Sequence, residues 1–369
     1  MRIYLNRAAE SFRRGLLKDE AGVALLVTLA VITVLVTVTL SLNQSTRLEV
    51  EAAAASRDRI ALREAALGSV HAAMAILVKD KVDTQIDSVQ EIWANPEEVA
   101  KVLALTTAAD IEAVVVITDE LSRIQVNALV DFPEGRDFNK TQQSLWERFL
   151  AVLFLGKEDK GEDEAATIVN SLKDWLDSGD DDAITGLSGA ESDYYEELDP
   201  PYRAANGPMR HIEELTRVKG ITPEILGGIE GAATIADYFT VQGAATQGKG
   251  FAFSGKININ TAPIPVLAAL LPLESMELAP ILYEYRMEKK DNGIDFAHEL
   301  TGSTWYTQPP GCADLKIDAN LITTSSDFFR IDVAARNSRQ TYHIQCVVRR
   351  TKDPKTGQWV CIPVTWETD

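Results

Sequence analysis

The sequence predicts an α+β protein: a long amino-terminal helix packed on an antiparallel sheet, with a large α-helical domain inserted between the strands. Three observations predict it. An uncharged stretch runs from Val23 to Thr46, and helix-favouring residues continue beyond it to Lys79 without a proline. Strand-like patterns near residue 115 and after residue 328 are separated by a long block of helical periodicity.

The uncharged stretch, VALLVTLAVITVLVTVTLSLNQST, would span roughly 36 Å as a helix, enough for a hydrocarbon core of about 30 Å. Arg2, Arg7, Arg13, Arg14 and Lys18 precede it and favour keeping that end in the cytoplasm. A secretory signal peptide has a shorter apolar region followed by a small-residue exit, and neither is present here. The expectation is a single-pass protein in lipid, with most of the chain on the far side. From Arg47 to Lys79 the sequence is rich in Ala, Glu, Arg and Leu, all good helix formers. Ala52, Ala55, Leu62, Ala65, Ala66, Ala73 and Leu77 form an apolar strip of small side chains, and the first proline of the chain is Pro96.

Beyond the helix, Ala113–Thr118 reads as a buried strand, Asp119-Glu120 as a turn, and Ser122–Val126 as a second strand. Helical patterns occupy residues 141 to about 236, including WERFLAVLF and EAATIVNSLKDWL. Strands return over Phe328–Ala334, Thr341–Arg349 and Gln358–Thr365.

The junction Glu20-Ala21-Gly22, directly before the apolar stretch, resembles the processing site of type IV prepilins and type II secretion pseudopilins. The resemblance implies cleavage by a membrane prepilin peptidase between Gly22 and Val23. Most of that family carry a glutamate five residues into the mature chain; here the position is Val27. A carboxylate in lipid is kept only for a partner, so its absence suits a subunit with nothing ahead of it. It equally suits a protein outside the family.

Three further stretches, DWLDSGDDD (174–182), AESDYYEELDPPYRAANGP (190–208) with EELTRVKGITPEIL (213–226), and KININTAP (256–263), resemble the minor pseudopilin called protein K of type II secretion. That resemblance implies a leader over 1–22, a membrane half of the helix over 23–46, and a pilin-like domain beginning at 47–130. An inserted helical domain would occupy 131–255. A second helical element and the closing strands would fill 256–369. It also implies the pseudopilins called I and J as partners, other secretion components, an inner-membrane location with the bulk in the periplasm, and a role at the tip that starts assembly and supports export.

Net charge is −19, which disfavours nucleic acid as a partner. Asp177, Asp180, Asp181, Asp182, Glu191 and Asp193 crowd six carboxylates into a glycine-rich segment. Crowded carboxylates need solvent or a bridging cation, and Ca²⁺ takes oxygens from such loops. The spacing is not that of an EF-hand, since Ser188 stands where the twelfth-position Glu would be. A solvated acidic loop is the alternative. The resemblance favours calcium, with Asp177, Asp180, Asp182, Glu191 and Asp193 as the proposed ligands.

Cys312, Cys346 and Cys361 are not spaced for zinc. Cys346 and Cys361 flank a turn-rich segment and either face each other across a hairpin as a disulfide or are small buried hydrophobes. Gly243–Lys249 nearly matches a phosphate loop but lacks the following Ser or Thr, and reads as a flexible linker. Val218–Pro223 and Asn258–Pro263 resemble helix-hairpin-helix turns and sustain one alternative function, a bitopic DNA-binding protein. In an acidic region they read as scaffold, with Thr222 and Thr261 capping helices. A membrane-tethered hydrolase using the acidic segment with a divalent metal is a third reading. The four histidines are scattered, HExxH and GxSxG are absent, and no enzyme is expected.

Overall fold

The computed structural model describes residues 20–104, 110–155, 161–179, 184–222, 225, 235–247 and 250–368. Helix α1 (Glu20–Asp83) runs through the division between two units, Met1–Ala61 and Leu62–Asp369. In the first unit every described residue from 22 to 50 is exposed. Among the described residues α1 is the helix long and apolar enough to cross a membrane. Its threonines suit that medium. Thr33, Thr37, Thr39 and Thr46 each donate a hydroxyl to the carbonyl four residues earlier, at 2.7 to 2.9 Å. No hydroxyl among these needs water, which lipid would not supply.

In the second unit Leu62, Ala66, Val70, Ala73 and Leu77 recur every three or four residues on α1, and all are buried. They pack with the inward faces of a four-stranded sheet made of β1 (Glu112–Asp119), β8 (Phe328–Arg336), β9 (Thr341–Lys352) and β10 (Trp359–Thr368). The spatial order is β1-β8-β9-β10 and every pair is antiparallel. Alternation fixes which side is inward: Phe329, Ile331, Val333 and Ala335 of β8 and Tyr342, Ile344, Cys346 and Val348 of β9. The small helix α2 (Pro96–Leu103), capped by Asn95, adds Val99 and Leu103 to this core.

The inserted part has its own core. Its main helices are α3 (Lys140–Phe154) and α4 (Glu162–Leu176), followed by the short α5 (Ser192–Glu196). Parallel two-residue ladders join β2 (Ile124–Gln125) to β3 (Phe239–Thr240), and β6 (Ile257–Asn258) to β7 (Ile322–Thr323). Between them lie the hairpin β4 (Ala244–Gln247) and β5 (Gly250–Phe253), and helices α6 (Ile264–Leu270) and α7 (Ala279–Met287). Trp146 stacks on Phe239 at 4.5 Å between centroids. Trp175 meets Tyr195 edge-on at 5.1 Å, and Tyr195 stacks on Tyr202 at 5.3 Å. The Tyr-Tyr and Pro-Pro-Tyr elements therefore close one aromatic cluster.

Three sequence expectations change here. Residues 257–322 pack in the inserted core, with Val266, Leu267, Leu282 and Trp305 fully enclosed, so that core extends well beyond 131–255. Residues around Gly243–Lys249 form the β4–β5 ladder where a linker was expected; residues 248 and 249 lie outside the described set. Thr261 does not cap α6. Its hydroxyl donates to Asp119 at 2.7 Å and leaves the helix start to Pro263. The Thr222 hydroxyl, by contrast, accepts from the Ile225 amide at 3.4 Å.

A line of buried charge joins the two cores. The Arg350 guanidinium of β9 is fully enclosed and donates to the Leu77 carbonyl, Asp80, Asp87 and the Ser326 carbonyl. Asp119, at the end of β1, accepts from Leu121 N, Asn258 Nδ2 and Thr261 Oγ1 at 2.7 Å each. Its neighbour Glu120 receives Arg123, Arg330 and the Thr240 hydroxyl. Asn260 accepts from Trp305 Nε1 at 2.7 Å and donates to the Leu300 carbonyl. Burial pushes Asp119 up to about 6, against the donors that hold its charged form, and pushes Asp80 up to about 7, with help from Glu91 and Asp87.

A raised carboxyl in the folded state holds a proton that the unfolded chain has already lost. Its contribution to stability is therefore full below the ordinary value of 3.8 and disappears as pH rises through 6. For Asp119 the span corresponds to roughly 3 kcal/mol. Urea midpoints should fall as pH rises from 4 to 7, and Asp119→Asn, neutral at every pH, should flatten that slope. A variant curve as steep as the parent's would assign the pH response elsewhere.

Candidate functional site

The acidic segment follows directly from α4. Asp174 lies in the last turn of the helix, Asp177 ends it, and Glu191 precedes α5. All three are buried, and one oxygen from each lies within 4.8 Å of the others. That span is about twice a Ca²⁺–oxygen bond of roughly 2.4 Å, so a single ion reaches all three carboxylates. Asp174 accepts from Thr185 N at 3.1 Å and from Ala190 N at 2.8 Å, folding the intervening loop back onto the helix. Asp177 accepts from Gly179 N at 3.1 Å and pairs with Lys173. Burial raises the Asp177 carboxyl, opposed by Lys173 and the Gly179 amide. The donor set is hard oxygen, which suits Ca²⁺ or Mg²⁺ and not a soft metal.

Of the five ligands expected from sequence, Asp177 and Glu191 are brought together. Asp193 stands in the first turn of α5 with its side chain exposed, outside this group, and Asp180 and Asp182 lie outside the described residues. The missed member is Asp174. It is masked in the sequence by the helical pattern of SLKDWL, although its spacing of three from Asp177 puts both carboxylates on one helix face. A second group, Asp80, Asp87 and Glu91, is equally compact but already has its cations: Arg350 on Asp80 and Asp87, and Lys81 at 3.7 Å from Asp87.

Gly22 and Val23 sit in the opening turns of α1, both exposed, and Val27 is exposed on the same helix. Cys346 and Cys361 do lie on the two arms of a hairpin, but the disulfide expectation is corrected by register. Cys346 is opposite Trp366 and Cys361 is opposite Arg350, so they stand four residues apart along the ladder, roughly 13 Å. Disulfide geometry needs Cα atoms within about 7 Å. All three cysteines are free thiols, and burial pushes Cys346 up to about 12 and Cys361 up to about 11.

The hairpin-like turn at Asn258 is internal. Asn258 Nδ2 donates to the Asp87 carbonyl and to Asp119, and the Thr261 and Ala262 amides donate to the Asn258 carbonyl. These amides face no solvent phosphate. In the other turn, partly buried, Lys219 donates to the Ser188 and Gly189 carbonyls.

Comparison with known proteins bears on the same segments. A family model described as type II secretion system (T2SS), protein K matches residues 122–235, a stretch that contains the aromatic cluster and the acidic loop. The type II secretion system protein K of Pseudomonas aeruginosa is 27% identical over 298 residues, covering 78% of this chain and 78% of that protein. That of Aeromonas hydrophila is 31% identical over 156 residues, covering 41% of this chain and 44% of its own length. Among solved structures, the GspK–GspI–GspJ complex from the enterotoxigenic Escherichia coli type 2 secretion system aligns with a TM-score of 0.57 and 16% identity. The alignment covers 85% of this chain and 99% of that chain, and at this identity the likeness concerns the fold. A long apolar helix leading into an antiparallel sheet, interrupted by a helical domain of this kind, is the build of a minor pseudopilin. The chain is similar to type II secretion protein K in the family model over residues 122–235 and along 298 residues of the Pseudomonas relative.

Gly189 shows how tightly the acidic loop is folded. A Cβ there would stand 2.0 Å from Asp174 Oδ2 and 2.9 Å from the Thr185 backbone. Gly189→Ala should lower stability by about 2 kcal/mol in urea unfolding, because backbone cannot yield to a methyl group. Unchanged unfolding would mean that the loop does not fold onto Asp174.

Proposed function

We propose that this minor pseudopilin is the tip subunit of a secretion pseudopilus. In this reading a prepilin peptidase removes residues 1–22, and the apolar half of α1 stays in the inner membrane with the bulk of the chain in the periplasm. The minor pseudopilins called I and J join it to start the filament. The observation that carries the reading is the apolar run of α1, unbroken by charge from Val23 to Thr46 and with Val27 in the fifth mature position. A subunit that follows another needs a carboxylate there to meet the preceding amine, at the cost of burying charge in lipid. A subunit with nothing ahead of it does not. The naming of partners in the related complex supports the same arrangement.

On that helix Ala52 and Ala53 are exposed and small, which permits close approach of a second helix. The role is structural. Calcium, held by Asp174, Asp177 and Glu191, would bridge the three carboxylates. It would lock the loop after α4 to the start of α5 and take part in no reaction.

The intact mass of the chain, expressed with and without a prepilin peptidase, tests the assignment most directly. Loss of residues 1–22 only in the presence of the active peptidase is the expected result. An unchanged mass would make α1 an uncut anchor and remove the tip model. For calcium, the expected result is a melting temperature that rises with millimolar CaCl₂ and falls again with chelator. Saturating a site by a hundredfold over Kd corresponds to about 2.7 kcal/mol. Asp177→Asn should suppress the response, and a parent protein that melts alike with and without chelator would rule the site out.

A further inference from the structure

At the seam between the two cores lies a cavity of about 240 Å³, unrelated to the acidic loop. Arg123, Lys256 and Arg349 line it, against one carboxylate, Asp327. In a chain with 55 acidic and 36 basic residues this inversion of charge is local and specific. Arg123 is committed to Glu120 at 2.5 Å and to the Asp237 carbonyl at 2.8 Å. Lys256 and Arg349, by contrast, form no ion pair among the described residues. Arg349 is held over the Phe328 ring at 5.5 Å, and its Nε–H, closed off from solvent, meets no hydrogen-bond acceptor. One donor of this partly buried guanidinium thus lacks the acceptor that a buried polar group ordinarily has.

The walls are built in advance. Gln125 Nε2 donates to the Gln242 carbonyl across the cavity. At Gly255, in a left-handed conformation with φ +61, the carbonyl accepts from Gln142 Nε2 at 2.9 Å; a Cβ on Gly255 would meet that nitrogen at 2.3 Å. The cavity is smaller than the roughly 300–1,000 Å³ of small-molecule sites. It is large enough for a carboxylate-bearing side chain, and Leu121 and Ala245 beside it offer apolar contact to the chain on either side of that group.

We propose that this cavity receives an aspartate or glutamate side chain from an acidic segment of a partner protein, with Lys256 and Arg349 as its counter-charges. Planar guanidinium and carboxylate match in a bidentate pair. The Lys256 ammonium, exposed at the rim, attracts the segment through its charge. The binding depends on neither calcium nor processing of the leader.

The test uses the full chain in detergent micelles, a fluorescent tetraglutamate peptide as probe, and inorganic phosphate as competitor, at low salt. The expected result is saturable binding that weakens at least about tenfold in Lys256→Gln and in Arg349→Gln, the loss of one charge-assisted contact. Lys256 is exposed, so its variant should unfold at the parent's urea midpoint and keep the test decisive if Arg349→Gln folds poorly. Phosphate should not displace the peptide at equal concentration. Displacement at equal concentration would make this a free-oxyanion site and overturn the proposal. So would the absence of saturable binding, or binding that both substitutions leave unchanged.

Discussion

The Arg350 guanidinium holds the architecture at its most demanding point. It stands on β9, yet it reaches the last turns of α1 through Leu77 and Asp80, the following loop through Asp87, and the return of the chain to the sheet through Ser326. Helix, loop and sheet each bring a polar group that would be costly to bury alone. One cation satisfies them together, at the end of the helix face on which Leu62, Ala66, Val70, Ala73 and Leu77 are buried. The same economy is repeated by Asp119 and Glu120, which tie β1 to Asn258, Thr261, Arg123 and Arg330. The motif around Asn258 is thereby explained as an internal fastening.

Much of the fold could be read from pattern alone. The strands β8 and β9 declare themselves because inward and outward residues alternate, and α1 because its apolar positions recur at helical spacing. The division of the cores could not be read. Ile264–Leu270 is apolar on nearly every side, and such a segment carries no periodicity to say which core it joins. Only tertiary packing assigns residues 257–322 to the insert.

The candidate site was legible in part for a similar reason. Asp177 and Glu191 stand out by crowding among glycines, whereas Asp174 is hidden inside a regular helix and becomes visible only when the loop returns to offer it the Thr185 and Ala190 amides. Cys346 and Cys361 show the complementary limit. Their flanking of a turn was right, but the pairing of a hairpin is set by register, and β9 and β10 are registered on Trp359↔Lys352, with a bulge between Pro363 and Thr365.

The pairing of β1 with β8 runs unbroken from Glu112↔Arg336 to Asp119↔Phe329. These two strands are neighbours in space as the arms of an ordinary hairpin would be, yet about 200 residues of chain lie between them, where two to five is usual. The insert enters and leaves through adjacent points of one sheet edge. Its collapse brings those points together and removes most of the closure entropy that a flexible loop of that length would impose. A small structural domain thus carries a large passenger without surrendering its own topology.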